Sequence, residues 1–269
     1  MRNHLRQMDR LLRGDATSAS ALRFGTMILP IDKIVVTALV LAALHGLFVA
    51  TFTLANGSDA LLERTLSSML KVPALFFLTL LVTFPSLYIF NTVVGSRLTL
   101  GDILRLLVAS LGVMITILVS LGPIVAFFSV STTNYPFILL FNVAVFAVAG
   151  ILGIRFLMRT LERMTRAYDR EAQKQADEEV QTDLSNLSEA LRSTYGTRSE
   201  GALDRSSEPA DPKVRLLFRI WIVVFGLVGG QMGWVLRPFV GDPAIPFQWL
   251  SPRESSFFEA VLTIFARLF

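Results

Sequence analysis

In the apolar cores of this chain's hydrophobic stretches the ionisable residue is His45, and Asn91, Asn142 and Gln231 add side-chain amides. An imidazole that titrates near neutral pH can pass a proton inside a membrane, so His45 is a candidate relay. It has no carboxylate companion in the apolar core, and a single His or amide there also serves as a hydrogen-bonding link between helices. Both readings stay open for these four residues, which together form the candidate intramembrane polar site. Chemistry of other kinds lacks its residues. The sequence contains no HExxH, GxSxG or Walker pattern, and its two histidines, His4 and His45, are too far apart in the expected topology to share a metal. Cysteine is absent, which removes disulfides and thiolate metal sites. The expectation is a protein that is not an enzyme and takes no cofactor or metal.

The segments that carry these residues read as membrane helices. Of 269 residues, 53% are hydrophobic and 17% charged, with a mean hydropathy of +0.58. No Asp, Glu, Lys or Arg occurs between Leu106 and Ile154, a run that suits two spans. Five segments are long enough to cross: Ile34 to Leu54, Val72 to Val94, Leu106 to Phe128, Phe137 to Met158, and Leu216 to Leu236. The fold class is therefore all-α, an integral membrane helical bundle of five transmembrane helices. The net charge of +4 sits beside apolar segments rather than in one patch, which argues for topology signals and against nucleic acid.

Charge placement sets the orientation. Arg2, Arg6, Arg10, Arg13, Arg23 and Lys33 precede the first span, and Arg159, Arg163, Arg166 and Arg170 follow the fourth; both groups belong in the cytoplasm. The opposite connections are poorer in basic residues, Arg64 and Lys71 in the first and none in "SVSTTNYPF". The N-terminus is then cytoplasmic and the C-terminus external. No small-residue cleavage site follows the basic start, so the first span is expected to be retained.

Six regions follow. Residues 1–33 are a basic cytoplasmic segment, in which Leu5, Met8 and Leu12 share a face suited to an anionic leaflet or belong to a solvated tail. Residues 34–158 are a four-span bundle. Residues 159–192 form a cytoplasmic helical stalk, with Leu161, Met164, Tyr168, Ala172, Ala176, Val180, Leu184, Leu187 and Leu191 on one face, either a simple amphipathic helix or a coiled coil. Residues 193–214 have the composition of a disordered tether. Residues 215–237 are the fifth transmembrane helix, ended by Pro238. Residues 238–269 are an external loop and an amphipathic interfacial helix, started by Ser251, Pro252 and Glu254.

Some residues are expected to pack or to mark the boundary. Gly229 and Gly233 form a GxxxG, and Ala149 and Gly153 repeat the spacing that lets helix backbones approach. Pro85 and the pair Gly122–Pro123 interrupt spans two and three as kinks or as parts of a transport site. Trp221, Trp234, Arg237 and Glu254 are placed at the membrane boundary, where Arg237 reaches lipid phosphates or pairs with Asp242 or Glu254.

The stretch "NTVVGSRLTLGDILRLLVASLGVMITILVSLGPI" resembles the Yip family of five-span membrane proteins, through Gly95, Ser96 and Thr99 before the third span and Pro123 within it. "GGQMGWVLRPF" and "PRESSFFE" are similar to a group of bacterial multi-pass membrane proteins with the same layout and no known activity. The resemblance implies the five-span architecture. Yip proteins carry their main cytosolic portion at the N-terminus, whereas here it lies between spans four and five. The functional expectation is a scaffold, adaptor or assembly subunit of a bacterial cytoplasmic (inner) membrane. Its partners are the lipid bilayer, a protein bound through the stalk, and a second copy in a homo-oligomer. The alternative is a small-solute transporter or channel built on the kinks at Pro85 and Pro123.

Because the chain has no Cys, introduced thiols report topology directly. An impermeant maleimide is expected to label Ser131→Cys and Ser256→Cys in intact cells, and Ser206→Cys only after lysis. Labelling of Ser256→Cys only after lysis, with Ser131→Cys exposed, would place the last helix after an even number of spans.

Overall fold

The computed structural model describes residues 6, 8–9, 11–13, 22–23, 26–27, 30–56, 60–94, 99–192, 212–237, 239–240, 246–250 and 256–268. Apart from a two-residue antiparallel ladder, β1 (Leu22–Arg23) with β2 (Thr26–Met27), the regular structure is helical. The helices are α1 (Ile31–Ala55), α2 (Leu61–Val94), α3 (Leu100–Ser120), α4 (Gly122–Ser131), α5 (Tyr135–Arg192), α6 (Pro212–Val235) and α7 (Phe257–Leu268). Five helical segments are long and apolar enough to cross a membrane: Ile31–Ala55, Leu61–Ile89, Gly101–Ser131, Tyr135–Ala167 and Phe218–Val235.

Side-chain size decides how they pack. Along α1, Ala38, Ala42, Gly46 and Ala50 recur every fourth residue and are all buried, so one face presents almost bare backbone. At its centre, a Cβ on Gly46 would lie 2.5 Å from the Ser68 carbonyl oxygen and 2.7 Å from the Met69 Cα. The two backbones therefore meet where a glycine permits it. The third span is broken as its sequence implies, with Leu121 ending α3 and Pro123 in the first turn of α4. Gly122 at the break leaves room for the Phe48 ring of α1. Thr99 caps α3 by accepting from the Asp102 amide at 3.2 Å, and Asp102 pairs with Arg105 at 3.3 Å.

The helices form an arc in the order α6, α2, α1, α3, α5, each packed on the next. The two ends of the arc, α5 and α6, make little direct contact and are bridged by α7. Helix α5 meets α3 at the expected small residues: Ala149 is buried, and a Cβ on Gly153 would lie 2.8 Å from the Met114 Cβ.

Several expectations change. Arg64 and Lys71 belong to α2, not to a connecting loop, and both are buried. The helix starts at Leu61 because its buried face continues through Arg64, Ser67, Ser68 and Lys71, at helical spacing but without apolar side chains. In the N-terminal segment the side chains turned inward are Met8 and Leu11, while Leu12 is exposed. Met8 reaches α3 beside Gly112, so this face is satisfied by the protein. Helix α5 runs unbroken from the fourth span to Arg192, and α6 begins at Pro212, three residues before the expected start. Helix α7 begins at Phe257, where the Ser256 hydroxyl accepts from the Glu259 amide at 3.3 Å. Ser251, Pro252 and Glu254, expected to start it, lie outside the described residues, as does the tether over 193–211.

Enlarging Gly46 forces backbone apart rather than a rotamer. Gly46→Ala is expected to lower thermal stability in detergent by about 1–3 kcal/mol and Gly46→Leu to abolish the folded peak in size exclusion. Gly226→Ala, where a Cβ meets nothing within 4 Å, serves as the tolerated control.

Candidate functional site

The arc leaves a concavity that its own helices do not fill. A cavity of about 760 Å³ lies between α2, α5 and α6, floored by Val49 of α1 and Met114 of α3 and closed at one end by α7. Its walls are mostly apolar, among them Leu75, Phe76, Leu139, Val143, Phe146, Ile151, Phe225, Phe257 and Val261. Most polar side chains gather at the end where α2 begins, α5 begins and α6 stops, namely Arg64, Ser67, Ser68, Tyr135, Arg237 and Gln248, with Thr79 and Asn142 deeper. No carboxylate lines the cavity among the described residues.

Four glycines make the space. Gly226, Gly229, Gly230 and Gly233 lie at helical spacing on one face of α6, and all line the cavity. Three of them do not serve close approach, whereas a Cβ on Gly230 would lie 3.1 Å from the Phe257 ring of α7. A Cβ on Gly229 would meet Thr79 at 3.5 Å, one on Gly233 would meet Leu75 at 3.8 Å, and one on Gly226 nothing within 4 Å. The pair Gly229/Gly233, expected to pack a helix, therefore faces α2 at ordinary contact distance. Each glycine inside a helix costs about 1 kcal/mol relative to alanine. Gly226, Gly229 and Gly233 gain no tight contact and give room instead, while Gly230 lets Phe257 of α7 come close.

The polar end is held shut by the chain that leaves α6. The buried Ser68 hydroxyl donates to the Phe239 carbonyl at 2.5 Å, and the Tyr135 hydroxyl donates to the Val240 carbonyl at 3.4 Å. The Arg237 guanidinium lies over the Trp234 ring, 3.7 Å from its centroid. Asn56, after α1, donates to the Thr132 carbonyl at 3.5 Å, tying the remaining connections of this end together. Ser67, 2% exposed, turns a hydroxyl to the cavity with no hydrogen-bond partner among the described residues.

Of the four candidate polar residues, Asn142 lines the cavity and His45 and Gln231 do not. His45 is wholly buried, its ring edge-on to Phe146 at 5.5 Å, and Phe146 stacks on Phe76 at 5.8 Å. His45 thus stands behind the cavity wall. Its polar neighbour is the Leu118 backbone, and neither ring nitrogen makes a well-formed hydrogen bond among the described residues. Asn142 lines the cavity, but its amide donates to the Ile138 carbonyl of its own helix at 2.8 Å rather than across to another. Gln231 is exposed on α6. Asn91 lies in the last turn of α2, with its side chain outside the described residues. Of the kink prolines, Pro85 is exposed within a continuous α2, Pro123 is exposed at the start of α4, and neither lines the cavity.

The boundary residues divide. Trp234 and Arg237 are half-buried at the polar end of the cavity. Trp221 is 2% exposed, and its indole N–H donates to the Thr83 carbonyl at 3.1 Å. It is turned into the protein, where its N–H finds a backbone acceptor on α2. Glu254, like Asp242, lies outside the described residues. The sequence signals for the cavity are Gly226 before the GxxxG and Gly230 inside it, and the Ser67–Ser68 pair between two basic residues.

No protein-family model, curated protein or solved structure matches the chain.

Ser68→Ala leaves the half-buried Phe239 carbonyl without its donor and is expected to lower thermal stability by about 1–3 kcal/mol. Ser86→Ala, whose hydroxyl bonds only back to Thr83 of its own helix, is expected to change it by less than about 0.5 kcal/mol.

Proposed function

We propose that the chain is a noncatalytic scaffold or assembly subunit of a bacterial cytoplasmic membrane, in which the bundle anchors α5 and the extension of α5 recruits a protein partner. The observation that carries this reading is the continuity of α5 over 58 residues. At 1.5 Å per residue such a helix is about 87 Å long, against a hydrocarbon core of about 30 Å. Its apolar portion ends near Ala167, and a rigid, water-exposed extension remains. From Gln173 to Thr182 every residue is exposed, and Lys174, Asp177, Glu178 and Glu179 place both charge signs on it. A helix of this kind with no role in the bundle is a surface for something else.

The proposed orientation puts the N-terminus and the α5 extension in the cytoplasm, since both flank apolar helices with arginines and an even number of spans separates them. The C-terminal helix α7 then lies on the external side. The resemblance to the Yip family supports the five-span layout alone.

A photo-crosslinking amino acid at Val180, exposed on the extension, is expected to give one discrete adduct in cells. Replacing Leu184, Leu187 and Leu191 by Ser is expected to reduce the adduct at least about fivefold while membrane insertion is unchanged. An adduct the size of two copies identifies a homo-oligomer. Absence of any discrete adduct in the wild type refutes the recruiting role.

A further inference from the structure

We propose that the cavity between α2, α5, α6 and α7 seats one anionic phospholipid, its phosphate at Arg64 and Arg237 and one acyl chain between α5 and α6. This goes beyond the scaffold reading and does not rest on it. The first ground is the order of groups with depth. Along α2 the cavity meets Arg64, then Ser67 one turn further, then Leu75 and Phe76. A phospholipid lying along the cavity with its head at that end places phosphate, ester and hydrocarbon in the same order. The second helix repeats it, with Arg237 at the end of the span and the glycine face deeper along α6.

The second ground is what the space can hold. Protein interiors do not sustain large empty volumes, and about 760 Å³ falls in the range of roughly 300–1,000 Å³ that holds an organic ligand. Water needs two to four polar partners, and the deeper walls, apolar except at Thr79 and Asn142, offer few. For a gap between helices that cross a membrane, the available apolar filler is the acyl chain of the surrounding lipid. The two ends of the arc, α5 and α6, stand apart along the length where such a chain would enter.

The third ground is the polar end. Ser67 holds a hydroxyl toward the cavity, almost fully buried and with no acceptor among the described residues. An ester carbonyl one turn below the phosphate supplies that acceptor. Two guanidiniums and no described carboxylate line the site, which complements an anionic head. A guanidinium has five N–H donors, so contacts that Arg64 or Arg237 make within the protein leave others for phosphate oxygens.

Native mass spectrometry of the full chain, purified in a maltoside from phosphatidylglycerol-containing membranes, is expected to show one retained phospholipid per chain. Filling the space with Gly150→Leu and Gly226→Leu, which exchange helix glycines for a better helix former, is expected to reduce retention about tenfold or more. With equal phosphatidylglycerol and phosphatidylcholine, the wild type is expected to prefer the anionic lipid by roughly tenfold, and Arg64→Gln with Arg237→Gln to lose that preference. In case the filled variant fails to fold, a phosphatidylglycerol with a mid-chain diazirine is applied to the wild type. Adducts at Leu139, Val143 or Phe225 support the seat. Adducts confined to the outward residues Leu81, Val82 and Val223 overturn it, as does purified wild-type protein that retains no phospholipid.

Discussion

The close crossing of α1 on α2 is the contact on which the rest depends. Gly46 lets the backbones meet at the Ser68 carbonyl, and the small residues at Ala38, Ala42 and Ala50 keep the flanking turns close. In a membrane no water is released when two apolar helices join, so association is driven by packing and hydrogen bonding. A face with almost no side chains maximises the first. It also fixes the rotation of α2 about its axis. That rotation turns Ser68 toward the segment after α6, Thr83 toward Trp221, and Arg64 and Ser67 toward the cavity.

Two uses of small residues then appear in one bundle. At Gly46 and Gly153 the missing Cβ is occupied by a neighbour, by backbone in the first case and by Met114 in the second. On α6 the missing Cβ atoms of Gly226, Gly229 and Gly233 face open space or loose contact, and that of Gly230 meets Phe257 of α7. The first kind brings helices together and the second holds volume open. The same helix shows the consequence, since α6 is tied to α2 by an indole bond near one end and by the Phe239 segment at the other, with the glycine face between.

Much of this architecture is legible in the sequence, because hydrocarbon leaves the backbone one solution. Five apolar helical segments, the break at Gly122–Pro123 and the packing at Ala149 and Gly153 follow from length, proline chemistry and side-chain size. What is not legible has specific causes. Charge ordinarily ends a span, yet Arg64 and Lys71 continue α2, since a long side chain can be buried along its stem where the protein and not lipid surrounds it. The glycines of α6 read as a packing motif because spacing alone does not say whether a neighbour comes close. Trp221 has the position of an interfacial anchor, but its donor is claimed by a carbonyl of α2. Met8 and Leu11 join the core, Met8 by meeting α3 at Gly112, a partner distant in sequence.

The long helix α5 joins the two parts of the molecule that the bundle does not explain by itself. Residues 139–154 are a wall of the cavity, and the extension toward Arg192 belongs to the same unbroken helix. A continuous helix bends only gently over such a length unless proline, a bulge or an inserted group breaks its hydrogen bonds. Pro136 lies in the first turn of α5, where a proline removes no hydrogen bond from the ladder, so the helix beyond it remains regular. The direction of the extension is therefore set by the way the wall packs on α3 at Met114 and on α7, and by whatever occupies the space between the wall and α6.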